Sequence, residues 1–314
     1  MSTSTAKPSP ARTVSDVGEI RRLADSFEIA LAARNLSPRT VKTYLDSVGL
    51  FAGYLERSGM PTRLDAITRE HVEAFVAAEL QRVSPTSVHI RYRGLQQFFR
   101  WAVSDGEIGV SPMVNMHPPI VPEQPVPVIS DDQLAALIKA CSGTAFADRR
   151  DLALVRLFVD TGCRRAEITN LSVDDVDLRA RQATVTGKGR RTRTVAFGHK
   201  CAQALDRYLR ARAGHRLAHE RWLWLGLSGR LTDNGIAGII RKRAKDAGID
   251  ERINLHRFRH TFAHDRMADG VEGENLMALA GWRSRSMLSR YGSSVAAERA
   301  LEDAHRRTAP GDRL

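Results

Sequence analysis

Apolar residues recur every three to four positions through most of the first hundred residues, the spacing of a helix with one buried face. Ser37-Pro38 supplies an N-cap and a proline suited to the first helical position. After it Val41, Tyr44, Leu45, Val48, Phe51, Tyr54 and Leu55 fall on one stripe, with Gly59 beyond its end. Thr68 precedes a stripe of Val72, Phe75, Val76 and Leu80, and Ser84-Pro85 opens another of Val88, Tyr92, Leu95, Phe99 and Ala102. With a further helix over 20–31, the pattern predicts a bundle of short helices.

The periodicity lapses after residue 105. Pro112, Pro118, Pro119, Pro122, Pro125 and Pro127 mark an extended, semi-rigid linker. At Ser130-Asp131-Asp132-Gln133 a capping box opens a helix with Leu134, Leu137 and Ile138 on its inner face. A helix carrying Leu152, Val155, Leu157 and Phe158 then runs to Gly162. Apolar and polar residues alternate over 182–186 and 192–197, and Gly187-Lys188-Gly189-Arg190-Arg191 between them reads as a hairpin turn. Further helices are predicted over 201–213, 234–247, 255–267, 274–279 and 296–304. The predicted fold class is therefore mainly α with a small antiparallel β-sheet. Its parts are a flexible tail (1–16), a helical bundle (17–105), a Pro-rich linker (106–128), a mixed α/β domain (129–305) and a tail (306–314).

Composition narrows the function classes. The 314 residues suffice for two hydrophobic cores. No run approaches the roughly 18 uncharged apolar residues of a membrane span, and the first residues lack the apolar stretch of a secretory signal. Cys141, Cys163 and Cys201 are too scattered for a disulfide framework or a CxxC metal site, which suits a reducing compartment. The net charge is +12. Residues 1–125 hold 14 Lys+Arg against 13 Asp+Glu, leaving 34 against 23 for the remainder. The excess is mostly arginine, the side chain best shaped for multidentate phosphate contact, so nucleic acid is the leading partner class.

Four short clusters carry candidate chemistry. Thr161-Gly162-Cys163-Arg164-Arg165-Ala166-Glu167 ends one helix at glycine and sets two arginines before the next; alone it reads first as a C-cap glycine followed by a solvated Arg–Glu turn. Lys188 stands on a hairpin tip, without the glycine spacing of a phosphate-binding P-loop. His256 and His260 lie four residues apart with His264 one turn on, but Arg257 occupies the place of the glutamate a zinc motif needs. Gly281-Trp282 is followed nine residues later by Tyr291, a spacing that ordinary core aromatics also show.

In this order and spacing the clusters resemble the tyrosine recombinase, or phage integrase, family. Its motifs are TG-x-R-x-x-E, a GKG hairpin, H-x-x-R-H, and G-H/W with a tyrosine nine residues on. The resemblance covers about residues 17–305, and the first domain resembles the family's core-binding domain. Trp282 stands where most members have histidine, and Cys163 and Arg165 replace apolar residues. The resemblance implies a metal-independent enzyme that cleaves and rejoins DNA strands through a 3′-phosphotyrosine. Its catalytic positions are Arg164, Lys188, His256, Arg259, Trp282 and Tyr291, with Glu167 and His260 in supporting places.

The implied chemistry follows from the side chains. A phenol with a pKa of about 10 needs positive charge or a base to act as nucleophile. Arg164 and Arg259 would clamp the phosphate oxygens, Lys188 would protonate the 5′-oxygen, and His256 would shuttle the tyrosine proton. Trp282 donates a hydrogen bond but accepts no proton. No cofactor and no metal are expected. The implied partner is double-stranded DNA carrying an inverted-repeat site, held between the two domains by a homotetramer whose C-terminal helices dock on neighbouring protomers. An accessory DNA-bending protein is an optional further partner. Arg91, Arg93, Arg100, Arg241, Lys242 and Arg243 are candidate DNA contacts, each open to the plainer reading of a solvated face. A cytoplasmic, nucleoid-associated enzyme without an extra N-terminal arm-binding domain is expected. Integration or excision of a mobile element is the first role considered and resolution of chromosome or plasmid dimers the second. A catalytically decayed DNA-binding regulator and a type IB topoisomerase are rival readings.

Overall fold

The computed structural model describes residues 19–122, 126–187, 189, 191–251, 253–289, 291–292, 295 and 305–306. Contacts divide the chain into two compact units, Met1–Gln124 and Pro125–Leu314.

The first unit holds α1 (Glu19–Ala33), α2 (Pro38–Arg57), α3 (Arg69–Arg82) and α4 (Pro85–Ser104). The caps read from the sequence are in place: Ser37 Oγ accepts the Thr40 amide at 3.2 Å and Ser84 Oγ the Ser87 amide at 3.4 Å. Phe27, Phe51, Phe75, Phe98 and Phe99 meet mostly edge to face in the core, the arrangement that ring quadrupoles favour. One inward position differs from expectation. Leu80 is exposed, and Glu79 takes the buried place one step around α3. The stripe 72, 75/76, 79 keeps the helical phase, and the carboxylate there is neutralised by Arg82 and Arg91.

The second unit contains α5 (Asp131–Lys139), α6 (Phe146–Thr161), α7 (Arg165–Thr169), β1 (Val176–Asp177), β2 (Gln182–Thr186), β3 (Thr192–Ala196), α8 (His199–Ala213), α9 (Asp233–Asp246), α10 (Leu255–Ala268) and α11 (Gly273–Ala280). The strands form an antiparallel sheet in the order β1-β2-β3, with Gln182 opposite Ala196 and Thr186 opposite Thr192. β1 was not foreseen; two residues are too few to show alternation. Helix α6 lies at the centre, its Ala153, Leu154, Leu157 and Phe158 wholly buried against α8 and α10. The predicted helix over 296–304 lies outside the described residues.

Arg243, a candidate DNA contact, is turned inward instead. Its guanidinium bonds Asp151 at 2.8 Å, Asp148 at 2.7 Å and the Ala140 carbonyl at 2.9 Å. On α9 it continues the buried stripe of Ile236 and Ile240, so it ties α9 to α6 and is not available to DNA. Among the described residues no helix is long and apolar enough to cross a membrane, and no three His, Cys, Asp or Glu side chains cluster as metal ligands.

Candidate active site

Two left-handed glycines set the frame. Gly162 (φ +54°) ends α6 and Gly281 (φ +64°) ends α11. A β-carbon on Gly162 would lie 2.5 Å from the Phe262 ring, so neither φ nor space admits a side chain there. Helix ends leave carbonyls without intrahelical partners, and three arginines take these up. Arg259 on α10 donates to the Gly162 carbonyl at 3.1 Å and to the Ala280 carbonyl at 2.6 Å. Arg164, the N-cap of α7, donates to the Gly281 carbonyl at 3.1 Å. Arg193 on β3 donates to the Leu279 carbonyl at 3.0 Å. The same guanidinium groups that gather positive charge thus fasten the ends of α6 and α11 together.

Glu167 lies beneath them, 2% exposed. Its oxygens accept from the Arg164 backbone at 2.8 Å, the Arg164 side chain at 3.0 Å, and Arg193 at 2.7 and 2.9 Å. Burial alone would raise its pKa, but the Arg193 and Arg164 bonds outweigh burial and hold the carboxyl below its ordinary value. Arg259 is 2% exposed, and burial, with the nearby charge of Arg164, lowers its pKa to about 10. It stays charged at neutral pH. Arg164 is the more open cation, its side chain 44% exposed.

Tyr291 is fully buried, its ring stacked on Trp282 at 5.2 Å between centroids and 6° between planes. The Arg259 guanidinium lies 5.6 Å from the Trp282 ring. The Trp282 Nε1 hydrogen is buried and has no hydrogen-bond partner among the described residues. The Tyr291 hydroxyl pairs with Nδ1 of His260. His256 is exposed one turn earlier on α10, and its ring meets that of His260 edge to face at 4.5 Å. A cavity of about 570 Å³ opens beside this cluster, lined by Arg164, Arg165, Asn234, Arg241, Asn254 and His256 among others.

Residues 127–298 match the phage integrase family, and residues 23–106 match the phage integrase N-terminal SAM-like domain. The chain belongs to the phage integrase family. It is 32% identical over 279 residues to the tyrosine recombinase XerD of Corynebacterium glutamicum, covering 84% of this chain and 90% of that protein. To the tyrosine recombinase XerC of Oceanobacillus iheyensis it is 29% identical over 283 residues, covering 88% and 92%. Among solved structures, XerA recombinase aligns with a TM-score of 0.52 at 26% identity, covering 93% of this chain and 100% of that one. The XerH recombinase bound to its palindromic difH substrate aligns at 0.73 and 18%, covering 90% and 84%, a likeness of fold.

This tyrosine recombinase is a DNA-cleaving and rejoining enzyme, mainly helical with one small antiparallel sheet. Its structure brings together Arg164, Glu167, Arg259, His260, Trp282 and Tyr291, with His256 on the rim. Lys188 lies outside the described residues. The expected supporting place of His260 becomes direct contact with the tyrosine hydroxyl, the place expected of His256. Arg193 was missed. The signal was present: it shares strand parity with inward-facing Val195 and Phe197, and a guanidinium at such a position demands a buried partner. Of the candidate DNA contacts, Arg93, Arg100, Arg241 and Lys242 are exposed. Arg91 is engaged with Glu79.

Proposed function

We propose that the recombinase acts at a specific inverted-repeat site, with Tyr291 as nucleophile toward a DNA phosphodiester and a 3′-phosphotyrosine as intermediate. The observation that carries this reading is the joint burial of Tyr291 against Trp282 beside Arg259, with the Trp282 N–H without a partner among the described residues. A buried donor without a partner is costly, and a phosphate oxygen is the acceptor that the neighbouring cations would attract. Arg164 and Arg259 stabilise the charge that grows on the non-bridging oxygens, each with donors to spare beyond those spent on helix ends. His256, exposed on the cavity wall, adds a contact to the bound phosphate. Lys188 protonates the departing 5′-oxygen. Because the phosphotyrosine keeps the energy of the phosphodiester, a new 5′-hydroxyl can attack it and rejoin the strand.

The partner in this reading is duplex DNA, and four copies act together. A structural relative in the family is a lambda integrase tetramer bound to a Holliday junction, which supports the assembly. The cellular role is exchange between two sites. Similarity to XerC and XerD along most of the chain supports resolution of chromosome or plasmid dimers, while Trp282 in the family's histidine position supports a mobile element. A plasmid carrying two copies of the inverted repeat tests the reading. The expected result is deletion or inversion only when both copies are present. Relaxation of any supercoiled plasmid, with or without the repeat, would instead fit topoisomerase action.

The basic face of α9 gives a graded expectation. Arg241→Ala is expected to weaken binding to all sequences alike and lower the salt slope of DNA affinity by about 1, as for loss of one phosphate contact. Arg243→Ala is expected to leave that slope unchanged and cost about 1–3 kcal/mol of stability, since it removes the donor from Asp151 Oδ2 and the Ala140 carbonyl while Arg150 still holds Asp151 Oδ1. Salt-dependent binding and urea melts of the two variants measure both.

A further inference from the structure

We infer that Arg193 is a positioning residue for strand cleavage: by gripping Glu167 it sets the β2–β3 hairpin, and with it Lys188, against Arg164. This rests on Lys188 protonating the departing 5′-oxygen. Arg193 lies on β3 opposite Val185 of β2. At the neck of the hairpin the Gly187 amide donates to the Arg191 carbonyl at 2.8 Å. Lys188 follows Gly187 directly in the chain.

The Glu167 carboxylate is where this hairpin meets Arg164. Its Oε1 accepts from Arg193 at 2.7 Å and from Arg164 at 3.0 Å, and a β-carbon on Gly187 would lie 3.1 Å from the same oxygen. Glycine at 187 therefore lets the backbone next to Lys188 close on the carboxylate. Arg193 also reaches the opposite wall of the site. Its Nε donates to the Leu279 carbonyl at 3.0 Å, and its guanidinium lies over Gly281, where a β-carbon would come 3.1 Å from Nη1 and 3.2 Å from Cζ. One side chain thus joins β3, α7 and the turn before Trp282.

The use of its donors separates this role from that of a phosphate clamp. Nε meets the Leu279 carbonyl, Nη1 meets Glu167 Oε1, and Nη2 meets Glu167 Oε2 and Cys163 Sγ, so four of the five N–H groups are spent inside the protein. The Arg193 side chain is 16% exposed, against 44% for Arg164. Arg193 accordingly acts through its neighbours and not on the phosphate. Charge points the same way. Two guanidinium groups share the Glu167 carboxylate. Without Arg193 the carboxylate keeps Arg164 alone and competes with the 5′-oxygen for the Lys188 ammonium, so the general acid loses both its place and its freedom.

The test is single-turnover cleavage of two nicked inverted-repeat duplexes by the full-length protein and its Arg193→Gln, Arg193→Lys and Lys188→Ala variants. One duplex carries the ordinary 5′-oxygen at the scissile phosphate. The other carries a bridging 5′-sulfur, which departs as a thiolate and needs no proton. Each rate is read against the wild type on the same duplex, with thermal melting and DNA affinity measured alongside. Arg193→Gln is expected to lose about 10²-fold on the oxygen duplex, the usual cost of a misplaced group, with DNA affinity unchanged. On the sulfur duplex it is expected to stay within about threefold of wild type, because the general acid is no longer needed. Arg193→Lys keeps the charge without the fork and is expected to fall between Arg193→Gln and wild type. A merely structural loss would slow both duplexes alike. Equal loss on both duplexes in a folded Arg193→Gln would overturn the proposal, and Arg193→Lys carries the same comparison if Arg193→Gln does not fold. An oxygen-duplex rate of the Arg193 variant within about threefold of wild type would overturn it as well, since a misplaced group costs far more. Lys188→Ala is expected to show the same selective loss; equal loss on both duplexes there would instead overturn the general-acid reading itself.

Discussion

Arg259→Lys is expected to slow DNA cleavage by about 10²–10³-fold, the cost of removing one preorganised donor set from a developing oxyanion. Charge is retained, so the loss isolates geometry. The arginine fork spans the Gly162 and Ala280 carbonyls while lying 5.6 Å from the Trp282 ring. An ammonium is a compact point charge on a flexible stem and does not reproduce that fork. One of the two carbonyls then loses its partner, at about 1–3 kcal/mol, and the tie between α6 and α11 loosens. Single-turnover cleavage paired with thermal melting separates the two effects. A rate within threefold of wild type in a folded variant would remove Arg259 from the catalytic set.

The second large effect is expected at Glu167. Glu167→Ala should lower the unfolding free energy by about 3–5 kcal/mol, because it leaves the Arg193 guanidinium buried without its carboxylate. Arg193 accounts for most of that figure: its side chain is 16% exposed, whereas the half-open Arg164 is screened by water. Stability should also acquire a pH signature. The folded carboxyl titrates below its ordinary value of 4.5. Its contribution is therefore complete above that value and is lost as pH falls through the depressed folded pKa. Urea midpoints measured from pH 7 down to the acid range should fall for the wild type, with a shallower dependence for Glu167→Gln. Parallel curves would show that the carboxylate carries no such linkage.

Much of this architecture was legible in the sequence because helices bury one stripe and announce their starts. Ser37, Ser84 and Ser130 mark helix ends chemically, and the phenylalanines of the first unit mark a core face. The misreadings have physical causes. Leu80 has the apolar character of a core residue but not the phase, and the buried place belongs to Glu79, which two arginines neutralise. Arg243 was grouped with its basic neighbours Arg241 and Lys242, although its phase with Ile236 and Ile240 points it inward. Arg193 went unnoticed because a charged residue in a short strand reads as exposed unless its parity is followed. The candidate site was legible as a set of positions, from Arg164 to Tyr291, but not as contacts. Spacing brought His256 and His260 onto one helix without saying which of them meets the tyrosine.

The central claim is that Tyr291 attacks DNA. The most direct measurement incubates the wild type and Tyr291→Phe, in EDTA, with nicked duplexes carrying inverted repeats from DNA flanking its own gene, and resolves the products on a denaturing gel. A covalent protein–DNA adduct formed by the wild type and absent from the phenylalanine variant is the expected result. An adduct formed equally by both proteins would contradict it and assign the attack to another side chain.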